Sequence, residues 1–402
     1  MYFGLDVHKK FIQVCKLSKT GQMLANYRIG GDKESVQDFT RSLKGTDAVV
    51  LETTFNTWSV YNILSRSAAK VVVSDSNKVK AIAHAKVKTD KVDAEILARL
   101  LRADFIPEVE MPDEQTWERR QLISHIRLIS KQRTLVKNSI WGVLNKNLIA
   151  VPHANLFTKR GLTWLKDLEL SPLVRLQMDN LLSTYESVVL ASEKAEQTLE
   201  LIAAGDKNVQ LLLSIPGVGL KVALGFVSAI GDVHRFKTPN QLARYFGLTP
   251  SLSQSADRSY SGRITKQGTA YGRWLAVEAA QSLALSGSPI TASYYKIKNK
   301  KGHNVAVTAL ARKLIVVVWH MLKKQQPYRY ARPERVSEKL RVVYPDLPNR
   351  YTINQNKITT EDIYWFAQMP ASEKPTPGER RAAIKNKKIL TYEKKKQNHE
   401  KK

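Results

Sequence analysis

The first thirty residues, MYFGLDVHKKFIQVCKLSKTGQMLANYRIG (1–30), contain three short stretches of apolar and β-branched residues. These stretches, MYFGLDVH, FIQVCKLS and MLANYRIG, each have the length and composition of a β-strand. KTGQ supplies the turn between the second stretch and the third. The pattern predicts three consecutive strands in a meander.

The next part of the chain alternates between helix and strand patterns. In order, the segments are an amphipathic helix KESVQDFTRSLK (33–44), a strand DAVVLETT (47–54), a helix NTWSVYNILSRSA (56–68) capped by Asn56, and a strand KVVVSDS (70–76). A meander followed by alternating helices and strands predicts an α/β layer domain, which we place at residues 1–108. The sequence has neither the glycine fingerprint of a dinucleotide site nor that of a P-loop, so it gives no support to those two chemistries.

The composition points to a polyanionic partner. The 402 residues are enough for two or three domains, and 64 Lys and Arg against 36 Asp and Glu give a formal net charge of +28. A charge of this size is typical of proteins that bind nucleic acid. The rival partner, an anionic membrane, has little support, because the longest apolar run, LIVVVWHML (314–322), is about half of the roughly 20 residues that a membrane span needs.

The N-terminus and the cysteine content both favour a cytosolic protein. MYFGLDVHKK (1–10) has an acid within its apolar stretch and no basic leader, so we do not expect a signal peptide. The one cysteine, Cys15, excludes an intramolecular disulfide framework and is expected to be a small core residue in a reducing compartment. The eight histidines are scattered, and no His/Cys set has zinc spacing.

Two long helical segments follow, within residues 113–205. In the second, the apolar positions have a 4–3 spacing broken once by Ser192: Val174, Met178, Leu181, Tyr185, Val188, Ala195, Leu199 and Ile202. The first has a similar seam: Leu122, Ile126, Ile129, Val136, Ile140 and Val143. The spacing predicts coiled-coil packing. An intramolecular antiparallel hairpin and a dimer interface fit the two segments equally well.

Residues 209–325 are predicted to form a third, mostly helical domain with glycine-rich breaks. In LLLSIPGVGLKVALGFVSAIGD (211–232) a helix end is followed by PGVG and a second helix, which is similar to a helix-hairpin-helix. Gly217 and Gly219 would let a phosphate backbone approach closely, and the amides at the following helix N-terminus favour an anion. A plain tight turn between packed helices fits this stretch nearly as well.

The remaining residues, 326–402, form a basic C-terminal extension. Residues 374–402 contain eleven Lys or Arg against three Glu and few apolar residues, which predicts a disordered cationic tail. Such a tail would add affinity for nucleic acid without choosing a sequence.

Four acids stand out by their positions. Asp6 and Glu52 interrupt apolar strands, where an unpaired carboxylate is costly to bury. Asp90 and Asp93 are three residues apart in KTDKVDAEILARLL (88–101), on one face of a predicted helix. Taken singly, each acid fits an ordinary strand-end or solvated carboxylate. As a cluster of four they would repel one another unless divalent cations lay among them, and oxygen ligands favour Mg²⁺ or Mn²⁺.

PSLSQSADRSYSGRITKQG (250–268) combines five serines with several cations and a single acid. It fits a flexible loop, a phosphate clamp or the seat of a nucleophile. The cations Arg258, Arg263, Lys266 and Arg273 could neutralise a phosphate during transfer, or hold a DNA backbone and nothing more.

Both motif sets resemble one protein family. FGLDVHKK, VLETT and KTDKVDAEILARLL resemble the Asp-Glu-Asp-Asp motif of the RuvC-like, RNase-H-fold domain of DEDD-type insertion-sequence transposases, now described as bridge-RNA-guided recombinases. GLTP (247–250), the serine five residues after Pro250, and GRITKQGTAYGRWLAVEAA (262–280) resemble the second, serine-bearing domain of the same family. The resemblance spans about residues 1–325.

The resemblance implies the following fold and site. An N-terminal RNase-H-like α/β domain is followed by coiled-coil helices and a mostly helical C-terminal transposase domain. Asp6, Glu52, Asp90 and Asp93 would hold Mg²⁺ (or Mn²⁺), and Ser255 would attack DNA phosphorus to form a phosphoserine. A serine ester conserves the energy of the broken bond, whereas water activated by a metal would hydrolyse the strand.

The resemblance also implies partners: DNA, a guide (bridge) RNA, and further copies of the chain, as a dimer or tetramer, in a bacterial or archaeal cytoplasm. Two other functions remain open. One is a Mg²⁺-dependent, structure-selective (Holliday-junction-type) endonuclease in which Ser255 is only structural. The other is a non-catalytic nucleic-acid-binding protein held by charge alone.

Overall fold

The structure is a computed structural model that describes residues 1–68, 70–83, 89–255, 258–332, 335–336 and 338–340. For residues 252–255, 258–259 and 261 only the backbone is described. The chain divides into two compact units, Met1–Asp113 and Glu114–Lys402. The long helices and the serine-bearing region, predicted as separate domains, both lie in the second unit.

The first unit is built on a six-stranded sheet in the order β3-β2-β1-β4-β5-β6. The strands are β1 (Tyr2–Val7), β2 (Phe11–Leu17), β3 (Met23–Gly30), β4 (Ala48–Glu52), β5 (Lys70–Ser74) and β6 (Glu108–Val109). β1, β2 and β3 pair antiparallel, which confirms the predicted meander, whereas β4 is parallel to β1 and β5 is parallel to β4. The mixed sheet confirms the predicted α/β class.

Helices cover both faces of this sheet. They are α1 (Lys33–Ser42), α2 (Thr57–Leu64), α3 (Ser76–Ile82) and α4 (Asp90–Arg102). Because side chains alternate along a strand, Phe3, Leu5 and Val7 of β1 share one core with α1 and α2. The opposite face packs against α3 and α4. α2 begins after Asn56 as predicted, although no side chain caps this end.

Gly4 allows α4 to lie directly on the sheet. A Cβ at this position would overlap the carbonyl oxygen of Ala94 and would lie 2.6 Å from the amide nitrogen of Ala98. Any larger residue would therefore push the helix away from β1. This close approach places the first turn of α4 near Asp6, which lies two residues after Gly4 at the carboxyl end of β1.

The second unit is helical apart from one hairpin. Its helices are α5 (Glu114–Lys146), α6 (Lys159–Asp167), α7 (Pro172–Ala204), α8 (Lys207–Leu213), α9 (Leu220–Ile230), α10 (Pro239–Tyr245), α11 (Ala270–Ala284), α12 (Ala292–Lys301) and α13 (His303–Lys324). The hairpin consists of β7 (Pro250–Ser255) and β8 (Arg258–Ile264). The mostly helical C-terminal architecture confirms the prediction.

α5 and α7 form an antiparallel pair within one chain. Ile126, near the start of α5, shares a core with Leu199, near the end of α7. Ile140, later in α5, shares another core with Met178, early in α7. The apolar seams predicted from the 4–3 spacing are thus filled by the intramolecular hairpin, and oligomerisation remains a prediction.

Among the helices in the described part of the chain, α13 is long and apolar enough to span a membrane. Half of its most apolar window is buried inside the protein. Its apolar positions belong to the main core of the second unit, with residues of α8, α9 and α11. Such burial is typical of the central helix of a helical domain.

Candidate active site and nucleic-acid interface

Asp6 and Glu52 lie side by side at the carboxyl ends of two neighbouring parallel strands. Leu5 of β1 is in register with Leu51 of β4, so the residues that follow them are also neighbours. Alternation along each strand places both carboxylates on the face that α4 covers, opposite the core of Leu5 and Leu51. Asp6 is buried, with 8% of its surface exposed.

The first turn of α4 contributes the other two acids. Thr89 caps this helix by accepting a hydrogen bond from the amide of Val92 at 3.4 Å, and Asp90 and Asp93 follow on the first turn. Together with Asp6 and Glu52 they line one cleft. The structure therefore brings together the four acids selected from the sequence, while their catalytic role remains a prediction.

His8 also lines this cleft and Arg28 contacts one of its acids, and neither residue was predicted from the sequence. His8 Nε2 lies 3.0 Å from Asp6 Oδ2 and 3.4 Å from Asp90 Oδ1. The Arg28 guanidinium donates to Asp90 Oδ2 at 3.0 Å. The period of two along β1 gives a signal for His8, because it places His8 on the same side as Asp6. Arg28 gives no such signal, because its position depends on how β3 pairs.

The electrostatics of the cleft disfavour bare negative charge. Burial raises the pKa of Asp6, the neighbouring Asp93 and Asp90 add to this, and His8 acts in the opposite direction. Burial also raises the pKa of Glu52, with Asp6 and Asp93 adding to it and Ser76 and Lys80 opposing it. Such a cleft attracts a cation, because a positive charge would stabilise both ionised carboxylates.

The donor set fits a divalent metal ion. One ligand atom each from Asp6, His8 and Asp90 lie within 4.8 Å of one another, and Glu52 and Asp93 line the same cleft. Carboxylate oxygens suit Mg²⁺ or Mn²⁺, and an imidazole nitrogen among them favours Mn²⁺ over Mg²⁺.

The hairpin between α8 and α9 has the compact turn that its glycines predicted. Gly217 has φ +82°, and a Cβ there would lie 2.6 Å from the backbone nitrogen of Leu283. Gly219 is the N-cap of α9 and no side chain caps that end, so the first amides of α9 are available to an anion.

A cationic cluster adjoins this hairpin. Lys221 and Arg127 both lie over the ring of Trp274, at 5.0 and 5.6 Å from its centre, and Lys221 Nζ donates to Ser130 Oγ at 3.3 Å. α5, α9 and α11 each contribute to the cluster. Sequence spacing gives no signal for this cluster, because Arg127, Lys221 and Trp274 are far apart along the chain.

The stretch 250–268, predicted as a loop carrying the nucleophile, is instead mostly a β-hairpin. The serine and threonine side chains that suggested a loop also suit a two-stranded ribbon that need not have an apolar face. Ser255 and Arg258 face each other in register at its tip, and their side chains, like residues 256–257 between them, lie outside the described part of the chain.

The predicted phosphate-binding cations divide into two kinds. Arg263 and Lys266 are exposed. Arg273 is half-buried, and its NH1 group donates to the carbonyl oxygens of Phe246 and Lys266 at 3.3 and 3.0 Å. Arg273 therefore braces the base of the hairpin.

Comparison with known proteins gives matches to both units. A model described as the DEDD transposase of IS110 matches residues 3–148, and one described as "Transposase IS116/IS110/IS902 family" matches residues 209–296. The transposase for insertion sequence element IS1111A of Coxiella burnetii is 25% identical over 336 residues, covering 81% of this chain and 90% of that protein.

Two further relatives carry insertion-element names. An IS110 protein of Streptomyces coelicolor is 23% identical over 395 residues, covering 84% of this chain and 97% of the relative. An IS900 protein of Mycobacterium paratuberculosis is 32% identical over 130 residues, which is 31% of this chain and 32% of the relative. With both family domains present in order and the site acids in one cleft, the chain belongs to the IS110/IS116 family of insertion-sequence transposases.

Proposed function

We propose that this protein is a DNA recombinase that cleaves and rejoins strands through a phosphoserine intermediate, with a divalent cation held by Asp6, Glu52, Asp90 and Asp93. The observation that carries the proposal is the convergence of these four acids in one cleft. Mg²⁺ or Mn²⁺ bound there would neutralise charge on the phosphate and lower the pKa of an attacking or leaving oxygen.

The protein groups around the cation would have distinct roles. Asp6 is buried at the centre of the sheet, so its carboxylate would be a fixed ligand. His8 contacts both Asp6 and Asp90, so it would either become a ligand or turn aside when the ion binds. Arg28 would hold Asp90 in place through the 3.0 Å contact.

Ser255 is the proposed nucleophile. Its Oγ would form a bond to phosphorus as the bond from phosphorus to a sugar oxygen breaks, with the serine proton passing to a base and the leaving oxygen gaining a proton. The resulting ester could be attacked by a second strand, so joining needs no external energy source. The backbone of Ser255 lies at the tip of a hairpin whose base carries the exposed Arg263 and Lys266, which supports access to a DNA backbone.

The partners are proposals of the same kind. DNA is the substrate that the family names indicate, and the net charge of +28 supports binding to its backbone. A structured guide RNA would leave base recognition to pairing and require the protein to read mainly shape and phosphate. A composite site of Ser255 from one copy and acids from another would require a dimer or tetramer, acting in the cytoplasm.

A denaturing gel tests the proposal. The wild type, Ser255→Ala, Asp6→Asn and the control Ser251→Ala are each incubated with Mg²⁺, end-labelled target DNA and RNA transcribed from the flanks of the element. We expect label attached to protein for the wild type and Ser251→Ala, and none for the other two variants.

Two other outcomes would favour the alternatives. Free cut ends from both wild type and Ser255→Ala, with no adduct, would mean hydrolysis by a structure-selective nuclease. Binding without cleavage, unaffected by Asp6→Asn, would mean a protein that only binds nucleic acid.

A further inference from the structure

Lys339 places its ammonium among three backbone carbonyls of the hairpin between α8 and α9. Its Nζ donates to the carbonyl oxygens of Leu213, Ile215 and Val218, each at 2.8 Å. These bonds span more than 120 positions of sequence and connect the C-terminal extension to the turn that contains Gly217.

The number of donors matches the number of acceptors. A protonated lysine has three N–H groups, one for each carbonyl, whereas a neutral amine has two and could donate to only two of them. The carbonyl of Ile215 accepts a second hydrogen bond, from the amide of Val218 at 3.2 Å. Among the described residues no carboxylate lies within ion-pair distance of Lys339, and three carbonyl dipoles face its charge. Burial lowers the pKa of Lys339 to about 8, which still leaves it charged at neutral pH.

The three carbonyls have a common origin. α8 ends at Leu213, and Ile215 and Val218 lie in the turn before α9, so these oxygens are not used by a continuing helix. Several carbonyl oxygens directed at one point are the kind of ligand set that replaces the water shell of a monovalent ion. The hairpin therefore offers a cation cradle whose ligands are backbone atoms.

We propose that the carbonyl oxygens of Leu213, Ile215 and Val218 form a monovalent-cation site, which Lys339 fills as an ion tethered to the C-terminal extension. A free K⁺ ion would occupy the same place if the side chain were removed. The tether makes occupancy independent of the ionic medium and holds the turn in one conformation.

One consequence rests on the function proposed above. The carbonyl of Val218 and the amide of Gly219 belong to one peptide group, so an ammonium on the oxygen polarises the N–H. Gly219 is the N-cap of α9, and its amide is one of those proposed to meet a phosphate. Lys339 would thus act as a positioning residue for a phosphate on the opposite side of the turn.

The test compares Lys339→Ala, which opens the site, with Lys339→Met, which fills it with an apolar chain. Lys313→Ala, at an exposed position on α13, is the control. Thermal unfolding of the full-length proteins is measured in KCl and in choline chloride at equal concentration, so that screening is the same and only K⁺ can enter the site. DNA affinity is measured in the same two salts.

We expect the Tm of Lys339→Ala to be higher in KCl than in choline chloride by about 4 °C or more. The wild type, Lys339→Met and Lys313→Ala should unfold at the same temperature in both salts. A Lys339→Ala protein that is soluble in KCl but insoluble in choline chloride would also support the cation site, because it shows a larger effect of K⁺ on stability. An equal Tm of Lys339→Ala in the two salts would overturn the cation site. Failure of the variant to fold in either salt would overturn it as well.

The DNA measurement separates this inference from the proposed function. Weaker DNA binding by Lys339→Ala in choline chloride, restored by K⁺, would support both. Restored stability without any change in DNA affinity would support the cation site and count against the hairpin as a phosphate-binding element.

Discussion

At the scale of single residues, the cleft of the first unit brings carboxylates together in a partly buried place, where the proposed cation would stabilise them. Asp6 is buried, and its burial and two other acids raise its pKa; His8 acts in the opposite direction. A carboxylate kept in such a place lowers the stability of the empty fold. Sites of this kind gain stability when a cation binds.

Replacing Asp6 should therefore stabilise the metal-free protein. Asp6→Asn keeps an acceptor for His8 and removes the charge, so we expect the free energy of unfolding at pH 7 in EDTA to rise by on the order of 1 kcal/mol. The pKa of Asp6 in the fold lies above its ordinary value of 3.8, so the wild type recovers stability as the pH falls through the raised pKa. The difference in unfolding free energy between the wild type and Asp6→Asn should therefore become smaller as the pH falls.

Urea unfolding at several pH values, with and without Mn²⁺, checks this expectation. Mn²⁺ should stabilise the wild type and leave Asp6→Asn unchanged. Asp38→Asn, at an exposed residue of α1, is the control and should show neither effect. A lower stability of Asp6→Asn than of the wild type in EDTA at pH 7 would contradict the account.

At the scale of elements, the close packing of α4 on β1 determines the geometry of the cleft. The acids of α4 reach the acids of the strands because Gly4 has no side chain between the two elements. The turn between α8 and α9 likewise requires a residue without a side chain, because a Cβ at Gly217 would overlap the backbone of α11.

Gly4→Ala should destabilise the first unit. The added methyl would overlap the backbone of α4, so we expect a loss of roughly 3 kcal/mol and a weaker response to Mn²⁺. Gly45→Ala is the matched control, because a Cβ at Gly45 has no atom within 4 Å. Equal unfolding free energies for the two variants would show that α4 does not lie this close to the strand.

The cluster around Trp274 should hold nucleic-acid phosphate. Lys221→Gln removes one cation beside the turn between α8 and α9. We therefore expect DNA binding to weaken for all sequences and the magnitude of the slope of log K against log salt to fall by about 1. Lys313→Gln, exposed on α13, is the comparison variant. Binding isotherms between low and moderate salt give both slopes, and identical slopes for wild type and Lys221→Gln would place the DNA elsewhere.

At the scale of the whole molecule, charge is unevenly distributed along the sequence. Residues 374–402 contain eleven of the 64 Lys and Arg, a higher density than in residues 1–373. A tail of this composition contributes affinity through counterion release and adds little specificity.

Removing residues 374–402 should flatten the salt dependence of DNA binding and leave specific cleavage in place at low salt. The comparison is a truncated protein against the full chain, in the same isotherms and in the denaturing gel. An unchanged salt slope would mean that the tail does not touch the nucleic acid.

The sequence determined the elements of this fold and their chemistry. Strand and helix periodicities identified β1–β5, α1, α2 and α4 because each element buries one face and repeats its apolar residues at its own period. The same patterns marked Asp6 and Glu52, because an acid in an apolar strand departs from the expected alternation. The 4–3 spacing located the α5 and α7 seams, but a repeat of apolar positions does not say whether its partner lies in the same chain.

Only the tertiary structure decided which distant residues meet. Arg28 reaches Asp90 through strand pairing, Trp274 gathers cations from two other helices, and Lys339 reaches a turn more than 120 residues away. The ribbon of β7 and β8 likewise followed from pairing, since its polar residues have no apolar period. Local patterns record which face of an element is buried, whereas these contacts depend on the order and direction in which the elements pack.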